Sequence, residues 1–205
     1  MKAFLFLYPI SRYTEEETFG HPSKLKVLER LNAIIDIRYR QKGYRIFWLL
    51  FGVVRKPSTP NLSLLDARLR ISKTDKVLSA GVSFERHCRR LVYPSLKSII
   101  AQIQPVDELV IGGFHQTDCV DKLARAAHRQ SISVRVDEDT TNQLFTTTML
   151  DGLPPVESTQ EEYASRLTAS LARIATRSDC DLLRLDNSLR RHRAMRKKRP
   201  WLAQI

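Results

Sequence analysis

A chain of 205 residues, 42% hydrophobic and 27% charged, can bury one sizeable core, so a single globular domain is the first expectation. The strongest apolar run, Ile46 to Val54, is too short for the ~20 residues a membrane-spanning helix needs, which excludes a span there. Lys and Arg number 34 against 22 Asp and Glu, a net charge of +12, which says nothing about fold but points toward anionic partners.

Met1 to Ile10 combines a charge with an apolar run. It has no small-residue cleavage site, and Pro9 interrupts it, so a signal peptide is not expected. Three widely spaced cysteines, Cys88, Cys119 and Cys180, argue against a disulfide framework and fit a reducing compartment, hence the cytoplasm.

Ala3 to Tyr8 is a continuous apolar run, as for a strand covered on both faces, and Pro9 is expected to end it. Residues 23 to 41 carry Leu25, Leu28, Leu31, Ile34 and Ile35 at helical spacing, with Gly43 placed as a C-terminal cap. Tyr44 to Val54 reads as a second buried strand. Residues 55 to 75, with Pro57, Pro60 and Asn61, read as a long loop holding at most one short element. Asp75 to Ala80 suggests a short strand. Tyr93 to Gln104 places Leu96, Ile99, Ile100 and Ile103 on one face of a helix begun by Pro94. Glu108 to Gly113 is a strand, Thr117 to Gln130 a helix, and Ile132 to Val136 a strand. After Pro154 and Pro155, Thr159 to Arg177 forms the last helix. Strands alternating with helices predict one α/β domain over residues 1–177, a three-layer, mostly parallel sheet with helices on both faces.

Residues 178–205 form a basic tail: eight Lys or Arg against three Asp, 8 − 3 = +5. It reads either as a solvated terminus or as a contact for nucleic acid, an anionic surface or an acidic partner. It carries no zinc-finger spacing and no aromatic-rich basic strand.

In an open parallel sheet ligands bind at the carboxyl ends of the strands. Gly112 and Gly113 close such a strand, and Thr117 is placed as the N-cap of the next helix, with Cys119 in its first turn. Amide donors and the helix dipole there are expected to lower the thiol pKa. Asp118, adjacent on the helix, is expected to point away from the sulfur. His115 is the candidate base if the turn folds back.

The segment Leu109 to Val120, followed by Ala124-Arg-Ala-Ala and Val134-Arg-Val-Asp-Glu-Asp-Thr, resembles the isochorismatase-like cysteine hydrolase superfamily. That resemblance implies a Rossmann-type sheet of about five or six parallel strands, homo-oligomers and a Cys/Asp/Lys triad acting on a small amide or ester. The cysteine attacks the carbonyl. An Asp at the end of the first strand is the base, and a Lys near mid-chain stabilises charge. The cysteine amide and a neighbour beside a non-proline cis bond hold the oxyanion, which puts Gly113 and Phe114 in the pocket. Here Tyr8 falls where that Asp belongs and Ala80 where that Lys belongs. The Asp-x-His of the family's metal-binding members is not visible, so neither metal nor cofactor is implied.

Three readings stand. One is a hydrolase with Cys119 as nucleophile, helped by His115 and facing Tyr8, Ala80, Gly113, Phe114 and Asp118. Another is a non-catalytic descendant that binds through the same pocket. The last is a basic protein that contacts nucleic acid or an anionic partner through its tail.

Overall fold

Side-chain alternation along the strands decides which layer each residue serves. In the computed structural model, β1 (Lys2–Leu7) sends Ala3, Leu5 and Leu7 into one core and Phe4 and Phe6 into another. Its neighbour β5 (Glu108–Gly113) divides likewise, Leu109 and Ile111 to the first and Val110 to the second. The first core is closed by Ile99, Ile100 and Ile103 of α4 (Leu96–Ile103) and by Leu123, Ala124 and Ala127 of α5 (Asp121–His128). The second is closed by Val27, Leu28 and Leu31 of α2 (Lys24–Ile34) and by Tyr163 and Leu167 of α6 (Gln160–Ile174). Each fully buried Leu, Ile or Phe contributes about 1.5–3 kcal/mol relative to exposure, so strands buried on both faces anchor all three layers.

The structure describes residues 1–18, 24–142, 158–174, 194 and 197–202. His21, Pro154, Pro155, Cys180, His192 and most of the basic tail lie outside the described residues.

The sheet has six strands. β1 pairs in parallel with β2 (Arg45–Val53) on one side and β5 on the other. β6 (Ser133–Thr141) continues beyond β5, and β4 (Lys76–Ser83) lies parallel on the far side of β2. β3 (Lys56–Pro60) is antiparallel to the end of β2. The chain therefore builds outward from β1 through β2, then returns to add β5 and β6 on the opposite side. This reversal leaves a crevice at the carboxyl ends of β1 and β5, where open α/β sheets take ligands.

Several boundaries depart from the expectations. β1 ends at Leu7, one residue early, because Tyr8 turns to a positive φ of 55°. Residues 55–75 are not a long loop: they hold β3 and a short 3-10 turn, Leu62–Leu64. Ser95, not Pro94, begins α4, its side chain accepting the Ser98 amide. α2 runs on through a π turn and a 3-10 turn to Gly43, which supplies the expected left-handed cap. Two short helices, α1 (Ser11–Thr18) and α3 (Phe84–Cys88), lacked a sequence pattern long enough to announce them. The helix expected over Thr159–Arg177 is described as α6, its last residues lying outside the described ones. Among the described residues, no helix is long and apolar enough to cross a membrane.

The described end of the tail is seated. Trp201 and Leu202 are buried in the first core, the Val136 amide donates to the Trp201 carbonyl at 2.9 Å, and Arg199 pairs with Asp121 at 2.7 Å.

Candidate active site

The crevice is shaped by a close approach that only glycine permits. Gly113 has a φ of 102°, and a Cβ there would meet the Leu7 carbonyl oxygen at 2.2 Å and the Leu7 nitrogen at 2.4 Å. With no side chain in the way, the Phe114 amide donates to the Leu7 carbonyl at 3.0 Å. The next peptide bond, Phe114–His115, is cis, as the resemblance implies.

The chain then enters a single π turn, Gln116–Val120, that runs into α5. The N-cap is His115 rather than Thr117, and no side chain of its own caps the turn. Asn142, at the end of β6, supplies that function by accepting the Gln116 amide at 2.8 Å. The buried Gln116 side chain donates to Glu138 at 2.6 Å and accepts from Thr141 at 3.1 Å. So the acidic end of β6 fixes the turn that carries the cysteine. Val120 and Leu123, fully buried, pin its other side.

A cavity of about 260 Å³ lies above this turn, lined by Tyr8, His87, Tyr93, Asp118, Cys119 and Lys122 over an apolar floor that includes Leu96 and Ile99. Of the expected site residues, the structure brings Tyr8, Asp118 and Cys119 to this cavity. Ala80 is buried in β4, Gly113 and Phe114 form the turn beneath, and the His115 ring packs 4.9 Å from Tyr13.

Cys119 departs from expectation in two ways. Its thiol donates toward Asp118 Oδ2 at 3.8 Å, so adjacent residues do meet at the lip of the turn. And its pKa is not lowered: burial, then the Asp118 charge, push the thiol up to about 12, with Lys122 opposing. Desolvation outweighs the dipole of a short turn because the thiolate, not the thiol, carries the charge that burial penalises.

The other oxygen of Asp118 is paired with Lys122, one turn on, and that ammonium also lies 5.8 Å above the Tyr93 ring. Carboxylate, thiol and ammonium thus line one cavity. Tyr8 stands at the end of β1, stacked on Phe51 at 4.3 Å. Burial first, then the Cys119, Tyr13 and Asp118 charges, raise its hydroxyl well above the usual tyrosine range. Its hydroxyl is therefore a poor candidate for a phenolate base.

His87, from α3, was not identified from sequence. Its ring lies 5.1 Å from Phe51 and 5.8 Å from Tyr93. Lys122 was the more legible omission, since four residues after Asp118 on a helix is salt-bridge spacing. Among the described residues there is no cluster of three or more His, Cys, Asp or Glu able to hold a metal ion.

No family model and no curated protein matches the sequence. Among solved structures, the chain is similar to N-carbamoylsarcosine amidase from Thermoplasma acidophilum, at 16% identity and a TM-score of 0.46, over 81% of this chain and 92% of that one. It is also similar to an isochorismatase-like hydrolase from Alkaliphilus metalliredigens, at 13% identity and 0.46, over 80% and 98%. A third, an isochorismatase family protein from Desulfovibrio vulgaris, has 13% identity and 0.45, over 75% and 93%.

Proposed function

We propose that this protein is a cysteine hydrolase of small amide or ester substrates, in which Asp118 and Lys122 do the work that the resemblance assigns to a first-strand Asp and a mid-chain Lys. The observation that carries this reading is the 3.8 Å approach of the Cys119 thiol to the Asp118 carboxylate, inside a cavity that Lys122 also lines.

The energetics define the order of events. With a pKa of about 12, only ~10⁻⁵ of the thiol is ionised at pH 7, so attack cannot wait for a free thiolate. The proton passes to Asp118 as the sulfur bonds to the carbonyl carbon. The leaving amine or alcohol then takes that proton as the C–N or C–O bond breaks, leaving an acyl-Cys119 thioester and an ionised Asp118. Lys122 holds the carboxylate in place and opposes the negative charge developing beside it.

p-Nitrophenyl acetate tests the reading. The expected result is a burst of p-nitrophenolate, one equivalent per chain, with acetyl found on Cys119 by peptide mass spectrometry. D118N and K122M each slow the burst, by ~10²-fold for D118N. A C119S protein that releases p-nitrophenolate as fast as the wild type sinks the proposal.

One observation favours a second reading, a pocket that binds without turnover: the raised thiol pKa itself. A cavity-filling ligand that protects Cys119 from alkylation, with no acyl adduct from any ester or amide, is the result expected on that reading.

A further inference from the structure

The cavity at Cys119 has two unlike ends. Its charged lining residues, Asp118 and Lys122, are paired with each other, their side chains 52% and 55% exposed. Tyr93 is 58% exposed, and the Lys122 ammonium lies over its ring. Together they make a charged, solvent-facing mouth. Leu7 from β1, Ile99 from α4 and Leu123 from α5 line the same space, yet each is at most 1% exposed. With Leu96, half-buried on α4, they make an apolar end set into the first core.

This asymmetry orients a substrate whose carbonyl carbon meets the Cys119 sulfur. On the proposed mechanism Asp118 returns its proton to the leaving group, so the amine or alcohol must stand beside Asp118, at the mouth. The acyl group, which stays bonded to sulfur, is left with the opposite direction, toward the leucines and Ile99.

We propose that this apolar end is an acyl-binding pocket, and that the substrates are amides or esters of an uncharged, apolar acyl group. This inference rests on the hydrolase reading above and names its substrate class. Size follows from the volume. An apolar cavity of ~150 Å³ is enough to hold benzene, so one of about 260 Å³ takes the reacting carbonyl with a chain or ring of about six carbons. Charge follows from the lining. A carboxylate or ammonium at the far end of the acyl group would lie against Leu7, Ile99 and Leu123, away from the Asp118–Lys122 pair, and burying an unpaired charge is heavily penalised. Leu96 is the specificity residue: it lines the pocket from the half-buried side of α4, where a change of side-chain length alters the room available to the acyl chain.

The experiment is acylation of the full chain by a series of p-nitrophenyl esters: acetate, butyrate, hexanoate and octanoate, with the adipate half-ester as a six-carbon acyl group that ends in a carboxylate. The readouts are kcat/KM for p-nitrophenolate release, relative to the uncatalysed rate of each ester, and the acyl mass found on Cys119. In the wild type the rate is expected to rise roughly fourfold for each CH₂ buried, ~10²-fold from acetate to hexanoate. The adipate half-ester is expected to react at least ~10-fold more slowly than hexanoate. L96W is expected to lower the hexanoate-to-acetate ratio by ~10-fold or more, and L96A to move the preference from hexanoate to octanoate. Opposite shifts in chain-length preference are not produced by a general loss of folding. Acylation of Cys119 that is indifferent to chain length, or as fast with the adipate half-ester as with hexanoate, overturns the acyl pocket and leaves the hydrolase reading standing. A wild-type preference that neither Leu96 variant moves overturns the pocket as well. No acyl-Cys119 from any ester overturns both.

Discussion

The Cys119 sulfur lies 3.8 Å from a carboxylate oxygen of the residue before it, Asp118, whose other oxygen is paired with Lys122. This contact sets two properties against each other. The Asp118 charge raises the thiol pKa and Lys122 lowers it, yet on the proposed mechanism Asp118 is needed to take the proton during attack. Removing it therefore makes a better resting thiolate and a worse catalyst. D118N is expected to increase iodoacetamide alkylation of Cys119 at pH 8 while slowing its acylation by p-nitrophenyl acetate. K122M is expected to slow both. A D118N protein that gains in both reactions shows that Asp118 is only an inhibitory neighbour. Cys88, which is exposed, serves as the internal reference for the alkylation.

The glycine at the end of β5 gives a sharper structural test. A Cβ at Gly113 meets backbone atoms of Leu7 on the neighbouring strand, and its φ of 102° disfavours any L side chain. Neither contact can be relieved by rotating a side chain. G113A is expected to destabilise the protein by about 2–4 kcal/mol in urea titrations. It should also slow Cys119 acylation, because the bond from the Phe114 amide to Leu7 places the turn. A variant as stable as the wild type means that β1 and β5 do not approach this closely in solution.

How much of this was legible follows from how local each signal is. The strands β1, β2 and β5 and the apolar faces of α2, α4 and α5 are written in runs and periods within a few residues, and the expectation for each was sound. The glycine pair followed by a small-residue helix is likewise a local pattern, and it marks the turn that carries Cys119. The missing residues are those whose roles come from pairing at long range. His87 reaches the cavity because α3 follows β4, two strands away from β1. The thiol pKa was misjudged because a helix-dipole argument sees the turn but not Tyr93, Leu96 and Ile99, which line the same cavity. Desolvation is a property of the assembled pocket, not of the sequence around the cysteine.

A second buried charge cluster predicts the pH dependence of stability. At the end of β6, Asp137 and Asp139 are fully buried. Arg38 bonds Asp139 at 2.7 Å, Arg30 bonds it at 3.2 Å, and Tyr39 donates to Asp137. Burial, then the Asp137 charge, raise the Asp139 carboxyl to about 7, with Arg38 and Arg30 opposing. Between the ordinary carboxylate value of ~3.9 and about 7, the folded state therefore holds a proton that the unfolded chain releases. Stability from this group is complete below the unfolded value and is lost as pH rises toward 7. Tm is expected to fall between pH 5 and 7, and D139N, whatever its absolute stability, is expected to flatten that slope. An unchanged slope in D139N assigns the proton to another group.

The basic tail can be examined for nucleic-acid or anionic contacts only if its end is treated as part of the fold. Trp201 is 5% exposed within the first core, and its carbonyl accepts the Val136 amide on the edge strand β6. An edge strand left uncovered invites pairing with other chains. Deleting the tail would therefore remove core packing and a ladder partner together with the charges, and lost binding would not report on charge. W201A is expected to cost about 3–5 kcal/mol by thermal or urea denaturation. W201F should cost far less, since it keeps most of the buried ring and discards an indole Nε1 that is buried and has no hydrogen-bond partner among the described residues. Equal losses for the two variants would mean that the indole nitrogen is satisfied in solution. Negligible losses for both would mean that the segment is not docked, and deletion would then be a clean test of the tail.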